Sequence, residues 1–246
     1  MIHLHRDENV LEIVIDRASK RNAMTNEMYE QMAEAFNETN AEGGASVVLV
    51  RAEGEYFCAG QDVRQLANVV TSLPIQERSV FRFMRSIFHC ERPIIAAVEG
   101  PAVGIGATML LHFDLVYMAD HAWLSFPFST LGLSPEFGAS ALLPQLAGRA
   151  TAARALLLGE KVSTKELVST GLVVGSGSST ETSRVAKAAA VRLASMSASA
   201  VRATRRLIGE ASAAISENLL IRELEVLESL RSTPEHQSAM DAWRQQ

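Results

Sequence analysis

Hydrophobic positions along the chain follow two periods. Ile2 to His5 and Val10 to Ile15 alternate or run apolar around Arg6-Asp7-Glu8-Asn9, the pattern of a hairpin. Ser46 to Arg51, Pro93 to Val98 and Phe113 to Met118 are short apolar runs between turn signals and predict buried strands. Elsewhere the period lengthens. Met28, Met32, Ala35, Phe36 and Thr39 predict a helix capped by Thr25, running to about Ala41 and stopped by Gly43-Gly44. Gly54 to Gly60 reads as a turn, and helices are expected from near Asp62 and from about Pro74 to Cys90. A glycine-spaced segment, Gly104-Ile105-Gly106, leads into a helical apolar patch. Further on, Ser140 to Ala147 and Ala150 to Leu158 read as helices separated by Gly148, and Ser163 caps a short helix that ends at Gly171. Leu172 to Val174 reads as a short strand and Gly175 to Ser179 as a flexible turn. Thr180 to Ser195, Ala198 to Gly209 and Ala213 to Leu230 are helical in pattern, and Pro234 opens a last helix. Strands alternate with helices over two thirds of the chain and helices fill the rest, which is α/β with a helical C-terminal extension.

Composition narrows the class. The 246 residues are 48% hydrophobic and 21% charged, as in a soluble globular protein. The net charge of −5 disfavours nucleic acid as a partner. Two cysteines, Cys58 and Cys90, argue against a disulfide framework and for a reducing compartment. The first residues lack the apolar core of a signal peptide, no run approaches the ~20 residues of a membrane span, and WRQQ is not a peroxisomal tripeptide. A cytoplasmic location away from the membrane is therefore expected.

Glycines first raise a dinucleotide site, but Gly104-Ile105-Gly106 lacks the third glycine and the acid about 20 residues on. Gly159-Glu160-Lys161 lacks P-loop spacing, and G-x-S-x-G is absent. His3 and His5 share one strand face without a third ligand, so no metal is expected. Cys58 reads as buried packing. Two features remain. Phe57-Cys58-Ala59-Gly60-Gln61-Asp62 and Gly104-Ile105-Gly106 each follow a strand and open a helix. Each could present a free backbone N–H where the helix dipole favours negative charge, and two converging donors would make an oxyanion hole. Two ordinary strand-to-helix turns would have the same spacing.

Arg17 to Thr25 (RASKRNAMT), Phe57 to Asp62 (FCAGQD), Pro93 to Asp120 and Leu131 to Glu136 together resemble the crotonase superfamily, the enoyl-CoA hydratase/isomerase fold, over nearly the full length. The resemblance implies a spiral of ββα units over residues 1–195 and a helical trimerisation region over residues 196–246. The expected assembly is a homotrimer or a dimer of trimers. It also implies a CoA thioester as substrate with no separate cofactor. The N–H groups of Ala59 and Ile105 would bind the thioester oxygen. The loop with Ala18, Lys20, Arg21 and Ala23, and the segment with Cys58, Gly60, Gln61, Asp62 and Val63, would hold the CoA; Lys20 and Arg21 suit its phosphates. Gly104, Pro127, Phe128 and Pro135 are the other binding positions.

The two glutamates of family hydratases fall on Thr108 and Phe128, neither of which can act as acid or base. A carboxylate stands instead at Glu136, in Leu-Gly-Leu-Ser-Pro-Glu, which resembles the Δ3,Δ2-enoyl-CoA isomerase branch of the peroxisomal type. That branch implies a single-glutamate shift of 3-enoyl-CoA to trans-2-enoyl-CoA. Hydration of a 2-enoyl-CoA and an acyl-CoA-binding member without activity are the alternatives. Phe137 stands where that branch has glycine, so a slightly different local backbone is expected. The stripe Leu219, Leu220, Leu224, Leu227 and Leu230 fits either trimer contacts or packing within the chain.

Overall fold

A computed structural model describes residues 1–7, 9–41, 43–66, 73–211 and 215–244. In chain order the elements are β1 (Ile2–Asp7), β2 (Val10–Ile15), α1 (Asn26–Thr39), β3 (Val47–Ala52), α2 (Val63–Leu66), α3 (Ser79–Phe88) and β4 (Ile94–Val98). Then come β5 (Ala102–Val103), α4 (Ile105–Thr108), β6 (Leu115–Ala119), β7 (Trp123–Ser125), α5 (Ala139–Ala147), α6 (Arg149–Leu157), β8 (Val162–Ser163) and α7 (Thr164–Thr170). The chain finishes with β9 (Gly175–Gly177), α8 (Ser179–Ala194), α9 (Ala198–Ala211), α10 (Glu217–Arg231) and α11 (Pro234–Arg244). No described helix is long and apolar enough to cross a membrane.

The main sheet runs β1-β2-β3-β4-β6-β9, with β1 antiparallel to β2 and the other pairs parallel. Its central strands read as unbroken apolar runs because both faces are covered. Successive side chains point to opposite faces. Val48, Val50, Ile94 and Ala96 join the main core, which contains residues of α1 and α3. Val47, Leu49, Ile95 and Ala97 pack against Ala186 and Ala190 of α8. A second sheet, β5-β7-β8, is built from strands of two or three residues, too short for periodicity to reveal.

The elements differ from the sequence pattern at three places. The helix expected from Pro74 to Cys90 is a 3-10 turn over Ile75–Glu77, an extended Arg78 and then α3. Arg78 leaves the helix and pairs with Glu228 of α10 at 3.0 Å. The strand expected at Leu172 to Val174 is displaced onto the glycines: Leu172 and Val173 are buried, while Gly175 to Gly177 supply the backbone that pairs with β6. The helix expected from Ala213 begins at Glu217, capped by the Ser216 hydroxyl; Ala213 lies outside the described residues. The leucine stripe also resolves. Leu220, Leu224 and Leu227 are buried in the main core and Leu230 packs against it, so this face serves the chain's own interior.

Candidate active site

Three short segments lie side by side and shape one wall of the site. The first is the loop before α1. Asn22 is fully buried and ties it down: its amide donates to the Glu53 and Tyr56 carbonyls at 2.7 and 2.6 Å, and its Oδ1 accepts from the Arg17 N–H at 2.7 Å. Arg21 and Asn22 take left-handed φ values of 51° and 57°, which reverse the chain. Lys20 and Arg21 stay exposed, with the Arg21 guanidinium 5.4 Å from the centre of the Tyr56 ring. The second segment, Phe57 to Asp62, pairs with the first: Ala59 N–H donates to the Arg21 carbonyl at 3.0 Å, Met24 N–H to Gly60, and Asp62 N–H to Met24. On its other side Val103 N–H donates to the Cys58 carbonyl at 2.8 Å, bringing in the third segment.

Ala59 is thus not a free donor; its N–H is occupied by Arg21, contrary to expectation. The free N–H lies two residues on. Because the Gly60 carbonyl accepts from Met24, the N–H of Gln61 in the same trans peptide points the opposite way. It donates to no described residue. Ile105 meets the same test. The Gly104 carbonyl accepts from Ala107 and Thr108 at 2.9 Å in the first turn of α4, so the Ile105 N–H of that peptide points out of the helix start. The two peptides are neighbours. A Cβ added to Gly104 would lie 3.8 Å from the Gly60 Cα, and one added to Gly60 would lie 3.2 Å from the Val103 carbonyl oxygen. Gly60 has φ +95° and Gly104 φ +55°, conformations that glycine reaches without strain.

A second wall carries Glu136. The run from Ile105 through the 3-10 turn Met109–His112 leads from the first wall to the turn that holds it. At its end His112 Nε2 donates to the Phe137 carbonyl at 2.7 Å, and the two rings stack at 3.9 Å. Burial pushes the His112 imidazole down to about 4, against the pull of that carbonyl, so the ring is neutral. Phe137 has φ +55°. The backbone therefore takes a shape open to glycine, and stacking and the histidine bond hold a bulky residue in it.

Glu223 of α10 secures the other side of the turn. Its carboxylate accepts from Gly138 N–H at 2.6 Å, Ser140 N–H at 3.2 Å and the Ser140 hydroxyl, capping α5 across the fold. Glu136 itself is 8% exposed. Loss of solvent pushes its carboxyl up to about 8; nearby Arg231 pulls it down and Glu223 pushes it further up. Asp62 differs. Burial opposes its charge, but a salt bridge from Arg17 at 2.6 Å and the Arg64 N–H hold it below the usual carboxylate range. Thr108 is fully buried with its hydroxyl turned back on its own helix, and Phe128 lies in the core. The sequence matches the enoyl-CoA hydratase/isomerase family over residues 5–246.

The chain belongs to that family, within the crotonase superfamily. The solved structure of Pseudomonas aeruginosa OdaA is 34% identical, superposes with a TM-score of 0.93, and is matched over 100% of this chain and 99% of its own. Enoyl-CoA delta isomerase 2 of Rattus norvegicus is 34% identical over 67% of this chain and 43% of its own. Human Testis-specific chromodomain protein Y 2 is 32% identical over 70% of this chain. The matched region is a third of the length of that protein and less than half that of the rat isomerase.

Within this crotonase frame, Ala18, Ala23, Cys58, Gly60, Gln61, Asp62 and Gly104 fall on or beside the first wall. Val63 opens α2. Cys58 is sealed in, with burial pushing its thiol up to about 12 against a backbone contact at Gly60. Pro127 and Phe128 open the turn that Leu133 closes by donating to the Phe128 carbonyl at 2.8 Å; Pro135 then leads into Glu136. Sequence reasoning missed Asn22, His112, Glu223 and His236. His236 meets the Leu131 carbonyl at 2.7 Å through its Nδ1. Asn22 and His112 lie inside the matching stretches but carry no role there, Glu223 and His236 lie outside them, and the partners of all four lie 25 to 105 residues away, apart from Asn22's nearer bond to Arg17.

Proposed function

We propose that this protein converts 3-enoyl-CoA to trans-2-enoyl-CoA by a 1,3-proton shift, with Glu136 as the one base. The observation that carries the reading is the contrast in carboxylates. Glu136 is buried and accepts no hydrogen bond from a described side chain, while Thr108 and Phe128 provide no second acid to activate water. Removal of a C2 proton by Glu136 puts the electron pair into a dienolate, with its charge on the thioester oxygen. Gln61 and Ile105 N–H are the donors placed to receive that charge; one such donor is worth about 3 kcal/mol in comparable sites. The protonated Glu136 then delivers the proton to C4, and the double bond comes to rest between C2 and C3. A carboxyl titrating near 8 suits both steps, since a base and its conjugate acid work best near the operating pH.

Lys20 and Arg21, exposed beside the first wall, suit the CoA phosphates. The rat relative's name, Enoyl-CoA delta isomerase 2, supports the same branch. The assembly that goes with it is a homotrimer or a dimer of trimers, which sedimentation at micromolar concentration tests. The decisive assay is optical. A trans-3-enoyl-CoA should give rising ultraviolet absorbance as the conjugated thioester forms. No rise at any chain length, together with loss of the chromophore from a 2-enoyl-CoA, would replace isomerisation with hydration.

A further inference from the structure

The turn that follows Glu136 does not suit the residues in it. Ala139 N–H donates to the Glu136 carbonyl at 3.1 Å, and the two residues between, Phe137 and Gly138, have φ of +55° and +71°. Two positive φ values make this a mirror-image turn, type I′, whose central positions usually hold glycine, asparagine or aspartate. Phe137 is none of these and is 0% exposed. A bulky residue persists in a left-handed conformation only where its surroundings over-determine it. Here they grip one peptide from both sides. The Phe137 carbonyl accepts from His112 Nε2 at 2.7 Å, and the Gly138 N–H of the same trans peptide donates the opposite way, to Glu223 at 2.6 Å. A carbonyl can only accept, so the imidazole proton sits on Nε2. The His112 ring also stacks on Phe137, centroids 3.9 Å apart, and the Phe83 ring lies 6.2 Å away.

Resting on the isomerase reading above, we propose that His112 is a positioning residue that sets the place of Glu136 relative to the Ile105 donor. His112 ends a continuous run that starts at Ile105: α4 passes directly into the 3-10 turn Met109–His112, and residues 105–111 are buried. One end of the run presents the N–H meant for the thioester oxygen, and the other holds the peptide after Phe137. Close-packed helical backbone hardly stretches, so one segment spaces donor and base. Glu223 cannot supply that link, because it ties the turn to α10. Without the His112 bond, Phe137 can fall back to negative φ and carry Glu136 with it. Burial keeps the imidazole neutral, so its Nε2–H is present whichever way Glu136 is charged.

The test compares His112→Phe, which keeps a ring to stack and removes the donor, with His112→Gln, which keeps an N–H donor and removes the ring. Phe137–Gly138 is the only Phe-Gly pair in the chain. Labelling phenylalanine at the carbonyl carbon and glycine at nitrogen therefore gives one coupled NMR signal, from the clamped peptide itself. In His112→Phe its carbonyl resonance should move upfield and its amide should exchange about tenfold faster. Assayed well below the melting temperature, kcat should fall about tenfold or more with KM within about twofold, because binding survives and alignment does not. His112→Gln should recover most of both effects. A folded His112→Phe protein with wild-type kcat would overturn the proposal, as would an equal loss of kcat in His112→Gln. Absence of isomerase activity from the wild type would instead sink the isomerase reading, and the peptide signal would still show whether His112 holds the turn.

Discussion

Gln61 and Ile105 are aimed by backbone holding backbone, whereas Glu136 is aimed by side chains from distant parts of the chain. On the first wall the pairing of residues 21–24, 58–62 and 102–104 fixes which peptides face inward. Glycine permits it, and the buried side chain of Asn22 ties the first loop down from within the same wall. On the second wall, His112, Glu223 and His236 each bind a backbone group of the segment from Leu131 to Ser140. Two of those three come from α10 and α11. The C-terminal helices, expected to serve as a trimerisation region, bind the segment that carries Glu136. An acceptor for developing charge needs only rigid dipoles, but a base must be buried, oriented and left able to ionise.

The largest effect is expected at Glu136. Glu136→Gln should lower kcat by roughly 10³-fold, within the usual range for a lost general base, while CoA-ester binding survives; single-turnover kinetics and isothermal titration separate the two. The same variant should be more stable than wild type at pH 8. A carboxyl raised in the folded state binds a proton that the unfolded chain has released, so stability falls as pH rises from the unfolded value of 4.5 toward about 8. Below that window the advantage of glutamine vanishes. Thermal melts at pH 4 and pH 8 should differ by on the order of 4 kcal/mol in the variant's favour, since each pKa unit between 4.5 and about 8 is worth about 1.4 kcal/mol.

The backbone wall is sharpened by replacing single amides with esters. An ester at Gln61 should lower kcat by about 10²-fold. An ester at Ala59 removes only a bond to Arg21 and should leave kcat within a few-fold while lowering the melting temperature. Reversal of these two results would return the donor role to Ala59. Next in size is pH. kcat/KM should climb close to tenfold per unit between pH 6 and 7 and level off above about 8, as one carboxylate comes free. A profile flat from pH 5 upward would contradict a buried base. Glu223→Ala should have the smallest effect, about 1–2 kcal/mol of stability from the lost helix cap and a several-fold drop in kcat. Equal loss from an exposed residue of α10 would show that the cap does not position Glu136.

How much was legible beforehand follows the same division. The buried strands, the Thr25 cap and the glycine turns could be read because each depends on neighbours within a few residues. The Ile105 donor was legible for that reason. The Gln61 donor was not: motif spacing pointed to Ala59, and only the partner strand decides which of two alternate peptides faces outward. Arg78 was read into a helix because its break is made by Glu228, 150 residues away.

Sequence alone determined the α/β alternation, the positions where the backbone can turn, and the absence of acids at Thr108 and Phe128. Those are properties of residue type and local period. Tertiary structure decided which N–H groups remain free, that the leucines of α10 face inward, and that Glu136 is buried near Arg231 and Glu223. Those depend on hydrogen-bond partners and loss of solvent, and a carboxylate's solvent is removed by residues the chain brings from elsewhere.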